Sequence, residues 1–408
     1  MTETPAEEGA PVRPVPFITR VRLKNYKSIA ECDVRLGPLT VFVGPNGSGK
    51  SNFLDALSFL ARTLATTPAE AIDERGGLGE ILRRVPEQTE SFSIALDATI
   101  AWGPLRHQQV EASYEFEIGS PARRGLRSFE VIREECSLRW QGEVWQFTAN
   151  RGQVQIVVPG RQSGVASFEA DRLYLPVASI QTTYAPLFGN LRLMQFYNFD
   201  VETLREPHHT AADAILGHTG EHIGDVLAAL AADSRGYKPR MDAYLRAVVQ
   251  DITAVEQYSI GGYTTVALRT ETGDGRQEVE FGPRSMSDGT IRATAVLVAL
   301  FQPAVLDGRV RLVGIEEPEL ALHPAAAGVL FDALTEASEH VQVLVSSQSA
   351  DLLDRDDLDP STIRAVTMRD GLTIIGEVDD ASREIAEKKL YTLGELMRGS
   401  QLIPRSRQ

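Results

Sequence analysis

A glycine-rich run, Gly44-Pro45-Asn46-Gly47-Ser48-Gly49-Lys50-Ser51, constrains this chain more than any other feature. It follows a short apolar run, Leu39 to Val43. It precedes a segment with Phe53, Leu54, Leu57, Leu60 and Leu64 at helical spacing. Strand, glycine-rich loop and helix in that order predict a phosphate-binding turn. Glycines let the backbone curl around anionic oxygens and point its N–H groups inward, and the helix adds the positive end of its dipole. Lys50 is then expected to reach the β- and γ-phosphates of ATP and Ser51 to ligate Mg²⁺, with Asn52 continuing the binding stretch.

A second run, Arg311-Leu312-Val313-Gly314-Ile315-Glu316-Glu317-Pro318, brings two carboxylates to the end of an apolar strand. Ligands sit at such ends in open α/β sheets. Glu316 is the expected holder of Mg²⁺, through water, and Glu317 the expected group that polarises the attacking water. A third run, Ser285-Met286-Ser287-Asp288-Gly289-Thr290, precedes a helix containing Ile291, Val296, Leu297 and Leu300. Ser287 is a good N-cap, and that alone accounts for the pattern; a helix start of this kind is also an anion site.

The rest of the chain divides by pattern. Residues 1–16 read as a disordered tail rich in Pro, Glu, Thr and Ala, without the apolar stretch of a secretion signal. Residues 17–90 carry the first motif, with alternation over Phe17 to Ile29 reading as one half-buried strand. Residues 91–180 alternate and read as an antiparallel β region, and 181–256 as a helical lobe with Ile223, Val226, Leu227 and Leu230 at helical spacing. Residues 257–382 return to α/β order, with helices expected from Asp288, Pro324 and Ser349, and 383–408 read as a tail.

Composition narrows the function classes. The formal net charge is −15, which argues against a broad DNA-coating surface. Two local basic clusters, Arg123/Arg124/Arg127 and Arg235/Lys238/Arg240, read either as solvated loops or as nucleic-acid contacts. The longest apolar stretch, Ala293 to Leu306, is short for a bilayer and is interrupted by Gln302 and Pro303. Cys32 and Cys136 match no zinc or disulfide spacing, so a cytoplasmic setting is the default. His218 and His222 are four apart, a metal-like spacing without an evident third ligand, and His208 and His209 are adjacent. No nuclease-type spacing of acidic residues is evident.

The order GPNGSGKS, MSDGT, GIEEPELALHP and VSSQSADLLD resembles the ATPase head of the SMC/RecF class of ABC proteins. More closely, it resembles the compact bacterial ATPases of that class, which lack long coiled coils and often occur beside nuclease or genome-defence genes. By motif the likeness covers Phe17 to Leu64 and Gly282 to Leu353, and Tyr391 to Leu396 resembles that group's ending. It implies an α/β ABC-ATPase head: a P-loop mixed sheet, an antiparallel β region and a helical lobe. It also implies ATP hydrolysis and a head-to-tail homodimer in which Ser287 and Gly289 meet the γ-phosphate held by the opposite copy. Asp288 stands where transporters usually have glycine.

Two positions depart from the wider pattern. His323 stands where the loop after the catalytic glutamate usually has an Asp that meets the partner subunit, and it reads either as an interface residue or as the cap of a helix begun by Pro324. Gln348 replaces the customary switch histidine; its amide donates a hydrogen bond without a titrating charge, which implies slow turnover. Gln88 is one counterpart of the glutamine loop in such heads, in a stretch too plain to assign it. The expected function is an ATP-gated switch in genome or anti-phage defence, acting on a separate nuclease or toxin. A RecF-like DNA-repair ATPase, a transporter subunit and a non-hydrolysing scaffold are the alternatives.

Overall fold

The computed structural model describes residues 16–84, 89–102, 108–121, 128–161, 163–249, 252–271 and 278–405. Gln88, the arginines 123, 124 and 127, and residues 1–15 lie outside the described residues. The chain opens with β1 (Ile18–Tyr26), β2 (Ile29–Arg35) and β3 (Leu39–Val43), followed by α1 (Lys50–Ala65), α2 (Pro68–Asp73) and α3 (Leu78–Ile81). Six strands come next: β4 (Ser91–Trp102), β5 (Gln108–Gly119), β6 (Glu130–Trp140), β7 (Glu143–Asn150), β8 (Gln153–Val157) and β9 (Gly164–Ser167). The middle holds α4 (Leu175–Ala178), α5 (Ala185–Arg192), β10 (Gln195–Tyr197), α6 (Val201–Arg205), β11 (His208–His209), α7 (Ile223–Ala232) and α8 (Tyr237–Val248).

A second β segment, β12 (Ile252–Ile260), β13 (Tyr263–Glu271) and β14 (Glu278–Phe281), leads into α9 (Asp288–Phe301) and α10 (Pro303–Leu306). The chain then runs β15 (Leu312–Glu316), α11 (Ala327–Ala337), β16 (Gln342–Ser347), β17 (Ile363–Arg369), β18 (Leu372–Glu377), α12 (Asp380–Glu387) and α13 (Leu393–Arg398).

These elements form three sheets. The central one has the order β10-β15-β16-β3-β17-β18, parallel except for β18. An antiparallel sheet runs β2-β1-β4-β5-β6-β7-β8-β9, and a smaller one joins β11, β13 and β12, with β14 on β13. Side chains alternate across a strand, so each central strand feeds two cores. Phe42, Leu312, Leu344 and Val366 face α1 and the antiparallel sheet, where Phe42 meets the Phe53 ring at 4.6 Å. Val41, Val43, Val313, Ile315, Val343 and Val345 face the other way, into the apolar sides of α7, α8, α9 and α11. The apolar span Asp288–Leu306 is 89% buried inside this second core. It is long and apolar enough to cross a membrane by length and composition alone, yet here it is a core helix.

Two buried side chains lock the layers. Gln342 is fully buried; its Nε2 donates to the carbonyls of Ile18 (2.7 Å) and Gly37 (2.9 Å), and its Oε1 accepts from Ile18 N (2.8 Å). One amide thus fastens the first strand of the antiparallel sheet to the start of β16. Glu134 on β6 accepts from Tyr114 Oη, Tyr174 N and Leu175 N, which anchors α4 to that sheet; burial pushes its carboxyl up to about 7.

The observed elements differ from the sequence expectations at several places. The strand expected over Phe17 to Ile29 is β1, which stops at Tyr26, because Asn25 (φ 55°) and Lys27 (φ 48°) turn the chain into β2, begun by Ile29. The 181–256 stretch contains β10, which joins the central sheet beside β15. No α-helix starts at Ser349. The Ser347 and Ser349 hydroxyls take the N–H groups of Ser349 (3.0 Å) and Asp351 (3.2 Å), a local alternative that leaves only a 3₁₀ turn over Asp351–Leu353. The helix expected from Pro324 begins with a 3₁₀ turn, Pro324–Ala326.

The segment from Tyr391 carries α13, begun by a capping box of Thr392 and Glu395 and packed through Leu393 and Leu396. In the second basic cluster each cation has a carboxylate: Arg235 on Asp233 and Asp307, Lys238 on Asp242, and Arg240 on Glu336. Its charge is answered locally.

Replacing Gln342 by Leu strands two carbonyls and one N–H in a dry interior. It is expected to lower stability by about 2–4 kcal/mol, read as a fall in the urea midpoint at unchanged slope. An unmoved midpoint would contradict this role for the amide.

Candidate functional site

The site forms at the C-terminal edge of the central sheet. β3 ends at Val43, and the loop after it turns tightly: Gly47 has φ 73° and Gly49 φ 96°, conformations that favour glycine. A Cβ on Gly49 would lie 1.9 Å from Thr373 Oγ1, and one on Gly44 would lie 2.0 Å from the Val366 carbonyl oxygen. The loop is therefore pressed against β17 and β18. Thr373 Oγ1 donates to Ser48 O at 2.9 Å and lies 2.6 Å from Ser28 Oγ, which accepts from Asn52 Nδ2 at 2.6 Å.

Lys50 is buried, and its Nζ donates to the carbonyls of Gly44 (2.8 Å) and Pro45 (3.0 Å). Burial pulls its ammonium below the usual lysine range, against the opposing pull of Glu317, Glu319 and Glu316. The charges of three carboxylates thus act on one lysine. The Ser48 hydroxyl is buried without a hydrogen-bond partner among the described residues, in a loop built to receive anionic oxygens.

Glu316 closes β15. Burial pushes its carboxyl above the usual range, the Ser51 hydroxyl bond and the charge of His218 hold it down, and Asp55 and Glu317 push it up. A hydroxyl beside a carboxylate whose charge is poorly solvated is a donor pair suited to a hard cation such as Mg²⁺. The next residue leaves the strand abruptly: Glu317 has φ 44°, a strained conformation for a residue with a Cβ, while its N–H still reaches Ser346 O at 2.8 Å. That turn sends its carboxylate to Gln348, whose Nε2 donates to Glu317 Oε2 at 3.1 Å. Glu319 accepts from the Ser347 hydroxyl at 2.5 Å, and burial raises its carboxyl too.

In the Ser285–Thr290 turn, Ser285, Ser287 and Asp288 are exposed, and Met286, Gly289 and Thr290 are buried. Ser287 caps α9, accepting from Thr290 N at 3.1 Å, and its hydroxyl lies 2.8 Å from Thr290 Oγ1. Gly289 abuts the loop after Glu317, since a Cβ there would lie 2.3 Å from Ala321 O. His323, on that same loop, is exposed and caps its 3₁₀ turn by accepting from Ala325 N at 3.2 Å. A cavity of about 340 Å³ opens beside Ser51 and Glu316, and neither Ser287 nor Gly289 lines it.

Within one chain, then, Lys50, Ser51, Glu316, Glu317 and Gln348 come together, while Ser287 and Gly289 sit at the start of α9 against the loop that follows Glu317. Several lining residues escaped sequence reasoning. Asn198 follows β10, and His218 lies across from it with Nδ1 2.5 Å from Phe196 O. His222 is separate, its ring 5.6 Å from that of His208, so the His218/His222 spacing does not build a metal pair. Among the described residues no group of three or more His, Cys, Asp or Glu side chains is arranged to hold a metal. The only sequence signal for Asn198 was its polarity next to an apolar segment, which is common in loops, and His218 stood out only through its spacing to His222.

Comparison with known proteins defines the class. A family model described as "AAA domain, putative AbiEii toxin, Type IV TA system" matches residues 39–354, more than half of the chain, and the chain belongs to that family. It is an ABC-type ATPase of the SMC/RecF kind. A solved SMC head bound to the C-winged helix domain of ScpA covers 88% of this chain and 97% of its own, at TM-score 0.54 and 13% identity, which shows the shared fold. The DNA replication and repair protein RecF of Corynebacterium jeikeium is 48% identical over 46 residues, 11% of each chain. The OLD nuclease of Thermus scotoductus is 42% identical over 44 residues, 11% of this chain and 8% of its own. The chromosome partition protein Smc of Mycobacterium leprae is 29% identical over 129 residues, 30% of this chain and 10% of its own. Each of these matches spans about a tenth of the relative's length.

Thr373→Val removes the hydroxyl that holds the Ser48 carbonyl and keeps the side-chain shape. Triphosphate affinity, titrated with a fluorescent ATP analogue, is expected to fall about tenfold, the equivalent of one lost hydrogen bond at the loop. Unchanged affinity would show that β18 does not shape the loop.

Proposed function

We propose that this protein binds and slowly hydrolyses ATP, and that two copies close head-to-tail around it to switch a partner. The observation that carries the reading is the grouping of the Lys50 loop, Ser51, Glu316 and Glu317 at one edge of the central sheet, with an exposed Ser287 whose hydroxyl is engaged only within its own turn at the start of α9. Neither of these encloses a triphosphate alone. A second copy supplies the missing wall, with His323 on the adjoining loop at the same interface.

In this mechanism the backbone N–H groups of Asn46 to Ser51 and the Lys50 ammonium grip the phosphates. Ser51 and Glu316 would hold Mg²⁺, which would supply charge neutralisation to the phosphates. Glu317 polarises the water that attacks the γ-phosphorus and accepts its proton as the β–γ bridging bond breaks and ADP leaves. Gln348 holds the Glu317 carboxylate through its amide, a bond already formed at 3.1 Å. Because that amide does not titrate, it cannot relay a proton, and turnover is slow.

The formal charge of −15 supports a protein partner over DNA, which we take to be a separately encoded nuclease or toxin, and the family's description as a putative toxin of a toxin–antitoxin system supports a defence setting. The RecF match supports a second reading, direct action at DNA. A DNA-binding titration at moderate salt separates the two, because phosphate contacts would give a steep salt dependence.

Glu317→Gln keeps the shape of the site and removes its base. Size-exclusion with light scattering is expected to show monomers without ATP, stable dimers with ATP, and hydrolysis reduced by at least about a hundredfold. Monomers at saturating ATP would overturn the reading.

A further inference from the structure

The turn that begins α9 is gripped by one arginine from a distant part of the sequence. Arg205, the last residue of α6, donates through Nη2 to Met286 O at 3.0 Å and to Asp288 Oδ1 at 2.7 Å. These two acceptors flank Ser287. Arg205 also reaches Glu202 at 3.2 Å, and its Nε is buried without a hydrogen-bond partner among the described residues. The guanidinium is therefore committed to this spot and has little freedom to leave it.

The other end of the same short segment borders the cavity beside Ser51 and Glu316. Phe196, Tyr197 and Asn198 line it, and Asp200 caps α6 by accepting from Glu202 N and Thr203 N, both at 3.1 Å. The far end of α9 returns to this segment as well. Gln302, fully buried at the C-cap, donates to Tyr197 Oη at 2.8 Å and accepts from Leu216 N at 3.2 Å, two residues before His218. Both ends of α9 are thus tied to one stretch, Gln195–Arg205 and its neighbouring loop, which itself walls the cavity.

We propose that Arg205 is a positioning residue that sets the Ser287–Gly289 turn according to what fills the cavity of its own chain, making that turn ready for a second copy. The proposal rests on the composite-pocket reading above. Asp288 gains a reason in the same step: an acidic residue at that place gives the arginine a charged partner, which glycine would not.

The test uses the Glu317→Gln protein as parent, with and without Arg205→Gln. The affinity of the monomer for a fluorescent ATP analogue is expected to stay within about twofold, while the ATP concentration needed for dimers rises about tenfold or more, the cost of a charge-assisted bond. Arg205→Lys keeps the charge without the fork and is expected to recover part of the loss. A change confined to general stability would lower ATP affinity and dimerisation together, and that result overturns the proposal, as does dimerisation at the parent's ATP concentration. Should Arg205→Gln fail to fold, Asp288→Asn decides, because that carboxylate is largely exposed: a several-fold loss of dimerisation supports the coupling and no loss overturns it. A parent that stays monomeric counts against the composite pocket, whereas a dimerising parent indifferent to both substitutions counts against the coupling alone.

Discussion

Everything at the candidate site depends on one strand lying between two others in a fixed register. β16 pairs in parallel with both β3 and β15, so that Ser346 stands opposite Glu316 on one side and Phe42 on the other. Three strand ends therefore stop at one height, and the glycine-rich loop, the paired carboxylates and Gln348 emerge side by side. A slip of one residue would exchange the two faces of β16 and drive Leu344 into the wrong core. The apolar alternation that packs the sheet thus also aims the chemistry.

Around this edge, single polar side chains from remote segments hold what the strands bring together. Gln342 fastens the antiparallel sheet to β16, and Ser28 and Thr373 brace the loop from two different sheets. Glu319 holds the Ser347 turn that precedes Gln348. Each is buried or nearly so, where an unpaired polar group is costly, so each contact is enforced by its surroundings. The strained backbone at Glu317 persists on the same terms: its N–H bond to Ser346 and its carboxylate bond to Gln348 hold the turn from both sides.

What the sequence revealed follows the same division. The glycine-rich loop and the Glu316–Glu317 strand were legible because their chemistry needs neighbouring residues in fixed order, and the ABC-type α/β head followed from them. Asn198 and Arg205 were not legible, and His218 was noticed only for its spacing to His222, because all three reach the site or the α9 turn from a region that read as a plain helical lobe, and β10 is only three residues long. The helix misplaced at Ser349 shows a different limit. There two serine hydroxyls captured N–H groups at the expected helix start. The capping box at Thr392 and Glu395 was written in the sequence and is what makes the final segment a packed helix rather than a tail.

A site assembled from two copies behaves differently from a self-sufficient one when damaged copies are mixed. Lys50→Ala disables the phosphate loop, and Ser287→Arg blocks the opposing turn. Each protein alone is expected to hydrolyse ATP at background rate. Mixed in equal amounts, they form heterodimers with one pocket built wholly from intact walls, so activity should return to roughly a quarter of the wild-type rate, as random pairing makes half the dimers mixed, each with one of two pockets working. Steady-state phosphate release from the mixture measures this directly. Recovery supports two chains completing one pocket; a mixture as inert as its components, with both variants folded and able to pair, would contradict it.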